Sequence, residues 1–237
     1  MATAYETVAG RIQSSILAGD LTSGSRLPDE DELAQQHGVG RSTIREALRV
    51  LGGRGWLQTA RGPGGGVFVN APSAQFVGRE LGADLAFLVG GSEITFDEMR
   101  EAREVHEVMA VQLAARRAGP AEQRRIRELA ERGRAAIDDA DEFNRLNIEF
   151  HLAITEATHN RVLLLWMSAI RQVVAGAMAA AAATRKRRQH VADQHLQIAR
   201  AIAAGDHDLA AQLMTRHLRD FHADFIEVSD RVGEGAG

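Results

Sequence analysis

The sequence predicts a mainly α protein, an N-terminal winged helix-turn-helix followed by an all-α antiparallel helical bundle. Three observations carry that prediction. In GRSTIREALRVL, residues 40–51, Ile44, Ala47, Leu48 and Leu51 recur at i, i+3, i+4 and i+7, the spacing of an amphipathic helix. A glycine-rich run, 62–66, separates two short stretches of strand character. From Thr95 to about residue 228 the apolar spacing is helical throughout.

Taken in order, Val8, Ile12 and Ile16 with Leu17 give a first helix that ends near Gly19. Pro28, then Asp29 with Glu32 three residues on, reads as a capping box opening a second helix that Gly38 ends. A short turn leads into 40–51. Helix, short turn, helix is the arrangement that lays a recognition helix across a groove. Residues 56–59 and 67–69 read as strands, and the loop between them, with Arg61 near its tip, makes a β-wing. A phosphate-cradling nucleotide loop is the alternative, but no Lys-Ser/Thr follows the glycines and no helix opens after them.

Ala71-Pro72-Ser73 marks a boundary, and residues 74–90 form a connecting helix closed by Gly90-Gly91-Ser92. Helices then follow near 95–117, 120–138, 142–157, 160–183, 185–204 and 206–228, with Pro120 in a first turn and Gly205-Asp206 as a stop and a new cap. The predicted organisation is a winged helix-turn-helix over 1–72, a linker with a connecting helix over 73–92, a helical effector-binding, metal-binding and dimerisation domain over 93–228, and a disordered tail over 229–237.

Composition narrows the class. Glu6 and Arg11 interrupt the N-terminus, which does not read as a signal peptide, and residues 173–183 are apolar but too short to span a bilayer. Cysteine is absent, compatible with a reducing cytoplasm, so a cytoplasmic chain is expected. The net charge of −4 argues against indiscriminate nucleic-acid binding, yet residues 40–61 carry Arg41, Arg45, Arg49, Arg54 and Arg61 against Glu46 alone. A local basic face on a mildly acidic protein suits a specific DNA reader.

Arg41, Ser42, Thr43, Arg45, Glu46 and Arg49 occupy the polar face of that helix. Twelve residues make about 18 Å of helix, enough to lie along a major groove. Arginine offers a planar fork to guanine or phosphate, and small hydroxyls near a helix N-terminus suit phosphate. An ordinary solvated face is the alternative.

Inside the bundle, Phe143, Leu146, Phe150 and Ile154 form a stripe that includes Asn147 and His151 at i, i+4. His195 shares a stripe with Val191, Ile198 and Ile202, and His217 shares one with Ala210, Met214 and Phe221. Those two helices meet at Gly205 and should run antiparallel, which puts both histidines roughly 15–18 Å from the hairpin end. Three histidines and an asparagine then meet at one level. Neutral imidazoles on facing helices are a usual transition-metal site; zinc is the first expectation, with nickel, cobalt and manganese as alternatives. Hydrogen-bonded core histidines are the bland alternative. Met99, Arg103, His106, Ala110 and Leu113 share a face of the helix at 95–117. An inward Arg103 needs either a core glutamate or a bound carboxylate effector.

The order of these elements resembles the GntR superfamily of bacterial transcription regulators. The residues that carry it are Ile16-Leu17-Ala18-Gly19, Leu27-Pro28, Glu32-Leu33-Ala34, Gly38-Val39, Arg41 to Leu48 and Gly55-Trp56-Leu57. The resemblance implies Arg41 and Arg45 as base or phosphate readers, Ser42 and Thr43 on phosphate, and Arg61 with Gly62 as the wing contact. The family often has arginine where this chain has Asp31, and serine where it has Gly40. The second half resembles the FCD ligand-binding domain of FadR-type members, through Glu101-Ala102-Arg103, Asn147 to His151, Asn160, His195 and His217-Leu218. That resemblance implies an antiparallel bundle that binds a metal through one carboxylate and three histidines and senses small organic acids. It also implies homodimers on palindromic operators. Asn147 stands where aspartate is usual, and an amide oxygen is the weaker ligand.

The expected function is therefore a ligand-responsive DNA-binding transcription regulator, a repressor, and not an enzyme. The alternative is a metalloenzyme with a three-histidine site and an appended DNA-binding head, which would need a placed general base. Glu149 lies off the inner stripe, and no other carboxylate has inward spacing in this reading.

Overall fold

A computed structural model describes residues 2–91, 93–182 and 184–234, with side chains over the same ranges apart from 176–181 and 221–234. The chain divides into two compact units, Met1–Ser73 and Ala74–Gly237.

In the first unit, helix α1 (Ala4–Ala18) opens on a capping box between Thr3 and Glu6 and closes at Gly19, whose φ of 86° is the left-handed conformation that favours glycine. Helix α2 (Glu30–His37) is capped by Asp29, with Glu32 reaching back to the cap backbone, and ends at Gly38. Helix α3 (Arg41–Gly53) follows after a three-residue turn, Gly38-Val39-Gly40. Strands β1 (Leu57–Ala60) and β2 (Gly66–Val69) pair antiparallel in the register Leu57↔Val69 to Ala60↔Gly66. The three helices and the ribbon close over Val8, Ile12, Leu33, Ile44, Leu51, Leu57 and Val69. Ile44 and Leu51 are wholly buried, each contributing about 1.5–3 kcal/mol by leaving water. That anchoring faces the arginines of α3 outward. The strands sit one residue from their expected bounds.

The second unit holds α4 (Ala74–Gly90), α5 (Phe96–Arg117), α6 (Pro120–Ala135), α7 (Ala140–Glu156), α8 (Arg161–Ala181), α9 (Arg185–Ala203) and α10 (His207–Glu234). Helices α5, α6, α7, α9 and α10 enclose a core of Val111, Ile126, Phe150, Ile154, Ile198, Ile202 and Met214. Gly205, at φ 70°, ends the α9 segment, and Asp206 caps α10 through Leu209 N at 3.0 Å.

Two expectations change. Residues 73–92 do contain a helix, but it is part of the bundle. Gly78 and Gly82 let α4 lie directly on α8; a Cβ at Gly78 would meet the Leu165 carbonyl oxygen at 2.4 Å. Residues 229–234 of the expected tail belong to α10, which runs to Glu234, Val228 and Val232 continuing its i, i+4 apolar spacing in sequence. Residues 235–237, Ser92, Ala183 and the side chains of Phe221 and His222 lie outside the described residues. Among the described residues no helix is long and apolar enough to cross a membrane.

Candidate functional site

The first unit presents a polar face on α3. Arg41, Ser42, Arg45 and Arg49 are exposed, and Thr43 is half-buried at the first turn. Gly40 caps α3 without any side-chain hydrogen bond, so the leading amides have no side-chain competitor for an anion. Arg61 and Gly62 are exposed at the wing tip, where Gly62 (φ 98°) and Gly64 (φ 80°) take left-handed turns. The sequence therefore placed all seven candidate DNA contacts on solvent-facing or half-exposed positions of the recognition helix and wing. It did not reveal that the arginines are paired. Arg41 Nε lies 3.1 Å from Asp31 Oδ1, Arg45 Nε 3.5 Å from Glu30 Oε2, and Arg49 Nη2 2.6 Å from Glu46 Oε1.

The second unit brings His151 of α7, His195 of α9 and His217 of α10 together. One ring nitrogen from each lies within 4.8 Å of the others, and all three residues are buried. The ring centroids are 4.9 to 5.3 Å apart. Phe150 stacks on His195 at 4.0 Å between centroids and fixes that ring from one side. Asn147 is buried one turn before His151.

A hydrogen bond fixes the tautomer of His217. Gln194 Nε2 donates to Asp220 Oδ2 at 2.6 Å, so its carbonyl oxygen is the atom facing His217 Nδ1 at 2.8 Å. His217 Nδ1–H must donate there, which turns the Nε2 lone pair inward. Glu107 of α5, also buried, sets its carboxylate against His151 Nδ1 and is ion-paired with the buried Arg103. The Glu107 carboxylate holds His151 Nδ1 by ion-pair contact without hydrogen-bond alignment, and His151 Nε2 meets His217 Nε2 at 3.4 Å. Two inward lone pairs at that distance repel unless a proton or a cation lies between them. Among the described residues His195 Nε2 and Asn147 Oδ1 are buried with no hydrogen-bond partner. Such orphans carry a penalty that a metal ion would remove.

Protonation is the poorer solution. Burial first, then the repulsion that a charged neighbouring imidazole would add, pushes His195 and His217 well below the usual histidine range, so neither takes a proton readily near pH 7. Imidazole nitrogen donors, two of them with Nδ1 held from outside by Gln194 and Glu107, are a donor set that zinc and its neighbours favour. The residues present fit a transition metal.

Three residues that sequence reasoning missed belong to this region. Glu107 contradicts the expectation that no carboxylate has inward spacing; it sits at i+4 from Arg103, and that pairing was the available signal. Gln194 is the anchor of His217. Arg171 of α8 lines a cavity of about 10 Å³ with Arg103, Glu107, Ile148, His151 and Met167. That volume holds about one water. Arg103 therefore faces both its glutamate partner and this cavity. His106 is a core histidine whose Nε2 lies 2.9 Å from the Leu163 carbonyl oxygen, while its Nδ1 is buried with no hydrogen-bond partner.

Residues 4–69 match the family described as bacterial regulatory proteins, gntR family, and residues 98–220 match the FCD domain. A regulatory protein named for the L-lactate dehydrogenase operon in Escherichia coli is 32% identical over 224 residues, 92% of this chain and 84% of that protein. The HTH-type transcriptional repressor NanR of Cronobacter sakazakii is 29% identical over 234 residues, 95% of this chain and 86% of its own length. The solved structure of a Streptococcus agalactiae GntR protein superposes with a TM-score of 0.63 at 24% identity, covering 91% of this chain and 97% of that one.

Proposed function

The chain belongs to the gntR family of bacterial regulatory proteins, with an FCD domain as its second unit, and from that premise we propose a repressor that answers to a small carboxylate held beside a metal ion. It is a DNA-binding transcription regulator and not an enzyme, as its relatives are. The buried cluster of His151, His195 and His217, with inward lone pairs and an orphaned Asn147 oxygen, is the observation that carries the finer reading.

Asn147, His151, His195 and His217 would hold the ion, zinc first, with nickel, cobalt and manganese as alternatives. A bound ion supplies a Lewis-acidic anchor for a carboxylate. Arg103 and Arg171 on the adjoining cavity add positive charge for the same anion. Lactate heads the candidate acids, because one relative is named for an L-lactate dehydrogenase operon. Glu107 orients His151 and is engaged with Arg103, so it does not serve as a general base.

The cavity is too small for an organic acid as it stands. An acid that enters must part α8, which carries Met167 and Arg171, from α5 and α7. Helix α8 is backed by α4, and α4 follows directly on the first unit in sequence. Widening the cavity is thus the differential interaction a ligand needs to shift a regulator between two states. The DNA partner meets α3 through Arg41, Ser42, Thr43, Arg45 and Arg49, and the wing through Arg61 and Gly62. A homodimer on a palindromic operator follows from two such heads. Exposed Val105 and Met109 give α5 an outward apolar face for the second copy. The chain acts in the cytoplasm, where its DNA is.

Elemental analysis of purified wild type and His195→Ala tests the centre: the wild type should carry metal and the variant should not. Full metal in the variant would remove the centre from the account. A thermal-stability screen of short organic acids, run with and without chelator, then identifies the effector. The expected acid raises the melting temperature of metal-loaded protein only.

A further inference from the structure

We propose that Asp31 and Glu30 mask the recognition arginines, so that sequence-independent contact with phosphate is suppressed and operator DNA is favoured over bulk DNA. This rests on the DNA-reading role of α3. The chain runs Asp29-Glu30-Asp31-Glu32 at the start of α2, four acidic residues in a row beside the recognition helix. Two of them reach across to α3, Asp31 to Arg41 and Glu30 to Arg45. Glu46 engages Arg49 within α3. The α2 N-terminus is closed to a phosphate as well, because Asp29 Oδ1 already accepts from Asp31 N and Glu32 N at 2.9 Å. Of the arginines proposed to meet DNA, Arg41, Arg45 and Arg49 have carboxylate partners, and among the described residues Arg61 on the wing makes no ion pair.

The pairs are exposed and therefore weak, so they do not lock the face. Their effect is selective. A phosphate drawn to Arg41 or Arg45 must approach a carboxylate that stays nearby after the pair opens. A guanine edge deeper in the groove is reached by an arginine extended away from α2, and offers two acceptors in return. Non-specific affinity is almost wholly electrostatic, whereas specific affinity is only partly so. Fixed carboxylates on the reading face thus penalise the first more than the second.

The test is fluorescence anisotropy on a labelled duplex of arbitrary sequence, titrated across sodium chloride concentrations, with full-length protein. Asp31→Asn and Glu30→Gln should each tighten binding roughly threefold at fixed salt, as expected for removing one carboxylate near one phosphate in high dielectric. Each should steepen the salt dependence by about 0.9 in log–log slope, for one more arginine engaged on phosphate. Asp31→Ala, which leaves no acceptor at all, should repeat the result. Glu32→Gln removes the same charge from the same turn without touching an arginine, its carboxylate being engaged on Asp29 N, and should change little. Unchanged affinity and slope in the first two variants would overturn the proposal, as would an equal rise with Glu32→Gln. Arg45→Ala in the same assay separates the premises. Weaker binding by that variant keeps α3 as the DNA face whatever the masks do; unweakened binding removes the DNA face and the mask together.

Discussion

Glu107→Gln is the substitution on which the reading of the bundle can be judged most sharply. Arg103 and Glu107 are 5% and 3% exposed in their side chains, one turn apart on α5, and the carboxylate also touches His151. Glutamine keeps the shape and removes the charge, so a buried guanidinium loses its carboxylate. Breaking a buried pair from one side costs about 3–5 kcal/mol. Native stability is only about 5–15 kcal/mol, so this is a large fraction of it. Urea unfolding of chelator-treated protein is the assay, because metal loss then cannot contribute. With a slope of about 2 kcal/mol/M the midpoint of the helical unit should fall by roughly 1.5–2.5 M. Arg103→Met combined with Glu107→Gln removes the stranded charge. It should recover much of the loss, for a coupling of about 2 kcal/mol or more in the double-mutant cycle. A single-variant loss below about 1 kcal/mol, or additive losses in the double variant, would show that the pair does not organise the core. In untreated protein the same substitution should lower metal affinity by about 10–100-fold, since His151 loses the acceptor that orients it.

Metal-free protein should lose stability toward acid in two stages. Burial and neighbouring imidazole charge depress His195 and His217, so the unfolded chain takes up protons that the folded one refuses. Their contribution is intact above about pH 6.5 and declines as pH falls below it. At Glu107 the upward push of burial is outweighed by Arg103 and then His151, which hold the carboxyl far below its usual range. A second loss therefore begins below about pH 4.5. Melting temperatures of chelator-treated protein that stay flat from about pH 8 to about 5 would contradict the first stage. Asn147→Asp should tighten metal binding by at least about 30-fold, because a unit charge about 4 Å from a divalent ion is worth about 2 kcal/mol even at bulk-water screening. Calorimetric titration with zinc checks it, and an unchanged affinity would mean that position 147 does not face the ion.

Much of the fold was legible because helix ends carry their own chemistry. Asp29 begins a capping box that residue type and spacing disclose, and the structure adds boxes of the same spacing at Thr3 and Thr95. The histidine cluster was legible for a related reason. Helical rise is constant, so residues at matched distances from Gly205 must come level, and His195 and His217 do. Glu107 escaped notice because periodicity assigns a face about 100° wide. His106 and Glu107 are both buried from adjacent positions, yet one meets a backbone carbonyl and the other a ring nitrogen. Which neighbour a side chain meets depends on how helices are rotated against one another.

Residue types and their order alone determined the winged helix-turn-helix, the helical second half, the arginine-bearing face of α3 and the inward stripes with His151, His195 and His217. Those features follow from local rules, in which a residue's effect reaches no farther than a turn or two of chain. Tertiary structure alone decided that α4 packs on α8 through Gly78 and Gly82, and that Glu107 and Gln194 turn two imidazoles toward a common centre. It also decided that Asp31 and Glu30 reach the arginines of the next helix. Each of those depends on the approach and rotation of elements far apart in sequence or set at an angle. Side-chain packing fixes those quantities, and no periodicity encodes them.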